Sequence, residues 1–134
     1  MLLTITLTCT LLTVLLNYEG MHQLTRRMEG LAWLGRKRFL ILIMALLLLQ
    51  FVGVSLFAVG YLLTDLQAAR NTTPNDLLHY LYLSVSAYST VGFGDVVPLG
   101  NARLLAGVES IVGFMIITWS ASLTFLEMQR HWRG

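Results

Sequence analysis

Apolar residues in this chain fall in long unbroken runs, without the alternating or every-third spacing of a half-buried element. Phe39 to Leu63 holds 25 residues with no ionised side chain. At about 1.5 Å per residue such a helix reaches roughly 37 Å, enough to cross a hydrocarbon core of about 30 Å with some tilt. Leu104 to Leu126, broken by the single acid Glu109, predicts a second spanning helix of similar length. Met1 to Leu16 has no charge but is short for a span unless Asn17 and Tyr18 complete it at the interface. It lacks the basic start and small-residue cleavage site of a signal peptide, so a spanning helix is expected there. Between Tyr18 and Arg38 the pattern changes. Met21, Leu24, Met28, Leu31 and Leu34 recur at helical spacing with Gln23, Arg26 and Arg27 opposite. That spacing predicts an interfacial amphipathic helix, either a plain tether between two membrane helices or a cuff that passes strain to them.

Composition rules out a soluble domain. Only 12% of the residues are charged and 56% are hydrophobic, where a soluble chain puts charge on about a quarter of its positions. The charges report topology. Arg26, Arg27, Arg36, Lys37 and Arg38 lie between the first two runs, and Arg130 and Arg133 follow the third, so both regions are expected in the cytoplasm. The connection between the second and third runs sets Arg70 and Arg103 against Asp65, Asp76 and Asp95, which suits the outside and places the N-terminus outside as well. The net charge of +2 thus reports topology and no nucleic-acid partner is expected, while the apolar runs make a lipid bilayer, the plasma (inner) membrane, the expected surroundings.

Other chemistry is sparse. Cys9 is the single cysteine, which excludes an intrachain disulfide and a cysteine metal site. Glu19 and His22 are too few to fix a metal and read as an exposed polar pair. Asn71-Thr72-Thr73 is a glycosylation acceptor only in a eukaryotic setting and is read as loop. Glu109, His79 and His22 form no cluster at one depth, so no enzyme is expected.

The loop between the second and third runs is different. Thr73 is placed as an N-cap, Pro74 suits the first helical position, and Asp76 sits where a capping box puts its acid. The helix that begins there, 74–88, is too short and too rich in Ser and Tyr to span, so it is expected to dip into the membrane and stop. Non-helical backbone at that depth is tolerated only where protein buries it or it lines a watery cavity. The segment after this helix reads Thr90-Val91-Gly92-Phe93-Gly94-Asp95. Glycine at every second position accepts left-handed backbone angles that other residues resist, so successive carbonyls can turn toward one axis. Four such strands would replace the water shell of a cation, with the Thr90 hydroxyl adding an inner ring of oxygens. The short helix aims its partially negative end at the cavity below.

At these residues the chain resembles the tetrameric potassium channel family, whose filter reads TVGYG where this one reads TVGFG. The resemblance runs from about Phe39 to Leu126. It implies an all-α membrane protein: two spanning helices, 39–64 and 103–126, flank a re-entrant pore helix, 74–88, and a filter, 90–94. Residues 1–38 add an extra membrane helix and connector ahead of a pore domain at 39–134. It further implies a homotetramer of this chain with three identical subunits, and K+ as the permeant ion held at Thr90, Val91, Gly92, Phe93 and Gly94. Asp95 at the outer mouth either braces the filter from behind or concentrates cations. Gly113 holds the place of the family's inner-helix pivot, or else serves close packing. From that pivot, helical spacing sets Phe114, Ile117, Ala121 and Phe125 on the family's cavity-lining face, with Met115 and Trp119 pointing away. Four Phe125 rings would close a narrow bundle by dewetting, or else pack between subunits.

Departures from the family pattern concern rigidity. Phe93 lacks a phenol hydroxyl, Tyr82 and Leu83 stand where relatives carry two tryptophans, and Ser86 stands where some carry a glutamate. Glu109 is expected behind the filter, since a charged carboxylate facing lipid is costly, with Ser84, Ser86 or Tyr88 as partners. A non-selective cation channel would break the alternation at Phe93 or Gly94, and an accessory scaffold would have no use for it. The sequence shows no arginine ladder of a voltage sensor, and with eight residues after Leu126 no cytoplasmic ligand-binding domain is expected. The gating stimulus and any regulatory ligand stay open.

Overall fold

The computed structural model describes residues 2–30, 37–63, 77–100 and 102–132. These form four helices: α1 (Leu2–Gly30), α2 (Lys37–Leu63), α3 (Leu77–Tyr88) and α4 (Ala102–Trp132). Among the described residues there is no strand. α1, α2 and α4 are long and apolar enough to cross a membrane, whereas the 12 residues of α3 reach only about 18 Å. This is an all-α membrane protein.

α2 is apolar on every side. Leu42, Leu46 and Phe57 are buried while Leu40, Leu48 and Phe51 are exposed, as expected of a helix with lipid on one face and protein on the other. Val54, Phe57, Ala58 and Tyr61 of α2 meet Tyr80, Leu83 and Tyr88 of α3 and Leu105 and Ala106 of α4 in one core cluster. α3 is thus wedged between the two long helices, its end pointing into the molecule.

The N-terminal region corrects the sequence reading. Instead of a short span followed by a separate interfacial helix from Tyr18, α1 is a single helix of 29 residues through Gly30. Its apolar stripe faces protein: Met21 and Met28 pack with Leu42, Leu46 and Ile116, and Leu24 flanks them. Once α2 and α4 cover that stripe, nothing favours laying it along the membrane surface. Close approach holds the pair together, since a Cβ at Gly20 would sit 2.7 Å from Leu49 and one at Gly60 would sit 2.9 Å from the Cys9 sulfur. Leu31 and Leu34, the rest of the stripe, lie outside the described residues, as do Thr73, Pro74 and Asp76 of the expected cap.

α4 also runs past its expected end at 126, to Trp132. The continuation is held by charge. Glu127, 4% exposed, pairs with Arg38 at the start of α2 and, at 3.1 Å, with Arg130 one turn along.

Candidate functional site

α3 ends by tightening. The Ser89 amide donates to the Val85 carbonyl at 3.0 Å, and the Thr90 amide donates to Ala87 at 3.0 Å. The backbone then takes positive φ at every second residue: 59° at Thr90, 56° at Gly92 and 81° at Gly94. The two glycines adopt this freely. Thr90 does not, because a β-branched residue in this region is strained, and such strain persists only where the surroundings enforce it. Ser86 supplies part of that enforcement. Its carbonyl accepts from the Gly92 amide at 3.2 Å and its hydroxyl accepts from the Phe93 amide at 3.3 Å. The sequence marked the glycines; the extension of the same alternation down to Thr90 appears only in the structure. Residues 90–95 are exposed in the single chain, Thr90 to Asp95 forming one uncovered edge.

At the outer end, the Tyr82 hydroxyl donates to Asp95 at 2.7 Å, and the Tyr82 ring stacks on Phe93 with centroids 6.1 Å apart. The Val96 amide also donates to Asp95, at 3.0 Å. The phenol that Phe93 lacks is therefore provided by a neighbour. Tyr82 holds the Asp95 carboxyl below its ordinary range by favouring the ionised form.

Glu109 is fully buried. Tyr61 of α2 donates to it at 2.6 Å, and Ser84 of α3 bonds its other oxygen, so three helices converge on one side chain. Of the partners expected from sequence, Ser84 is there; Ser86 serves the Phe93 amide, and the Tyr88 hydroxyl donates to Gln50 instead, at 3.0 Å. Tyr61 and Gln50 escaped sequence reasoning. Gln50 is the one amide side chain in α2, and a polar group inside a span was the signal that could have found it.

One turn past Glu109, α4 passes over the end of α3 at Gly113, where an added Cβ would lie 2.1 Å from the Tyr88 carbonyl oxygen. The glycine is therefore a close-packing position. Phe114, Ile117, Ala121 and Phe125 share the exposed side of α4. Trp119 turns toward α1 and meets Tyr18 with ring centroids 6.1 Å apart, and Met115 is exposed. Among the described residues no group of three His, Cys, Asp or Glu side chains converges as a metal site.

A family model described as ion channel matches residues 39–130. The chain belongs to this ion channel family. It is a channel and not an enzyme, and the comparisons agree with the pore-loop potassium channels as its kin. The chain is similar to a protein of Paramagnetospirillum magnetotacticum described as the inward rectifier potassium channel Kirbac3.1, at 28% identity over 132 residues. That match covers 90% of this chain but 43% of the relative, so the channel chain spans less than half the relative's length. No solved structure matches it. The matched region holds nearly all of α2 and α4 together with α3 and the alternating segment, whereas α1 lies wholly ahead of it.

Proposed function

We propose that this channel subunit conducts potassium selectively, as a homotetramer of four identical chains around one axis. The observation that supports it most is the alternation of positive φ at Thr90, Gly92 and Gly94 directly after a half-helix. A period of two in backbone handedness is what lets consecutive carbonyls serve one axis, and one chain supplies one such strand. Four strands complete the oxygen cage that replaces the hydration shell of a dehydrated potassium ion, the cargo of the channel. The exposure of Val91 and Phe93, at 56% and 65% in a lone chain, fits a surface that other copies cover. The relative's description as a potassium channel points to the same ion.

In this reading Thr90, Val91, Gly92, Phe93 and Gly94 hold the ion. Asp95 with Tyr82, and Ser86, brace the filter, while Phe114, Ile117, Ala121 and Phe125 line the cavity beneath. The N-terminus lies outside a plasma or inner membrane, the C-terminus in the cytoplasm. The purified chain reconstituted alone in liposomes tests it. Unaided potassium flux is expected, with bi-ionic reversal potentials far from zero against sodium. A reversal near zero would remove selectivity, and flux from a monomer or dimer would remove the tetramer.

A further inference from the structure

Tyr88 touches α4 twice. Its carbonyl is pressed against Gly113. Its hydroxyl reaches α4 again through α2: it donates to the Gln50 side-chain carbonyl at 3.0 Å, the Gln50 amide donates to the Ser120 hydroxyl at 2.8 Å, and Ser120 donates to the Ile116 carbonyl at 2.9 Å. Every donor in this chain is used once and all point the same way, the arrangement in which hydrogen bonds reinforce one another. The two points of attachment, Gly113 and Ser120, lie two turns apart along α4. Tyr88 stands two residues before Thr90, where the positive-φ alternation begins.

We infer that Gln50 is a positioning residue, which ties the foot of the filter to the inner half of α4 so that a bend of α4 and the conformation at Thr90 change together. This rests on the channel reading. Several features make the link specific. Gly53, one turn along α2 from Gln50, leaves the room Tyr88 needs: a Cβ there would sit 2.9 Å from its hydroxyl. The relay also borders a largely apolar cavity of about 410 Å³ between α2 and α4, lined in part by Leu47, Phe51 and Ile117. Gly113 itself is fixed on Tyr88, so a bend of α4 falls on the stretch that carries Ser120. Movement at the Ser120 level then pulls on Gln50, and through it on the Tyr88 ring.

Single-channel recording of the reconstituted full chain tests this, with melting of the purified assembly measured alongside. Gln50→Leu, Tyr88→Phe and Ser120→Ala are each expected to shorten mean open time about fivefold, the size of one lost net hydrogen bond. Gln50→Leu with Tyr88→Phe should do no more than either alone, and Ser120→Thr should restore the wild-type value. Tyr88→Phe removes a single oxygen and serves if Gln50→Leu does not assemble. Open times that stay at the wild-type value while melting falls make the bonds structural only and overturn the relay, as does an additive double variant. A wild-type chain that passes no potassium overturns the channel reading and the relay with it; a conducting wild type with unaltered variants overturns the relay alone.

Discussion

Replacing Glu109 by Gln is expected to leave the assembly almost as stable as the wild type, whereas Glu109→Leu is not. The side chain is fully buried, accepts from Tyr61 at 2.6 Å and bonds Ser84. The single hydroxyl proton of Ser84 also has the Val54 carbonyl within reach, at 2.8 Å. A neutral side chain that donates to Ser84 and accepts from Tyr61 uses every proton once, with Ser84 donating onward to Val54. Glutamine has the same shape, accepting at its oxygen and donating one amide proton to Ser84, so even with its second amide proton its cost should stay within about 1 kcal/mol. Leucine fills similar volume but removes the buried hydrogen bond from the Tyr61 hydroxyl, which costs about 1 to 3 kcal/mol. Adding Tyr61→Phe to Glu109→Leu should recover most of that loss, because donor and acceptor then vanish together. Unfolding of the purified channel in mixed micelles, titrated with a denaturing detergent, measures all four proteins. A Gln variant as unstable as the Leu variant would refute the reasoning, since the group would then be needed as a carboxylate.

Gly113→Ala should abolish conduction, because its Cβ would lie 2.1 Å from backbone oxygen of Tyr88; normal flux from that variant would show that α3 can retreat. Asp95 has a depressed pKa chiefly through Tyr82, so its ionised, braced form is fully present above the ordinary value of 3.8 and is lost as external pH falls through the lowered one. Tyr82→Phe should therefore move the acid loss of open-channel current to higher pH, and an unmoved profile would detach the brace from conduction. Glu127→Ala strands Arg38, whose side chain is 17% exposed, and should cost about 3 kcal/mol of assembly stability, read by the same detergent titration. Phe125→Ala should raise resting open probability if its ring closes the inner mouth, and single-channel records with the wild-type value would remove it as the constriction.

The long apolar runs and the boundary arginines were sufficient to place α2 and α4, because in a membrane a helix must satisfy its own backbone and the span length follows from bilayer thickness. The alternating backbone of 90–94 was legible for a similar local reason: glycine at alternate positions is a backbone instruction readable without neighbours. Features that depended on neighbours were not legible. The stripe of Met21, Leu24 and Met28 has the same spacing whether it lies on a lipid surface or against α2 and α4, and only the packing of Leu42, Leu46 and Ile116 upon it decided for a single long α1. Thr90 carries no mark of a left-handed backbone, since the hydrogen bonds from the α3 end impose it. Likewise Tyr61 and Glu109 stand 48 positions apart in the chain, and Gln50 and Ser120 stand 70 apart. Hydrophobic spans are local properties of a chain, but the partner of a buried polar group is chosen by how the helices cross.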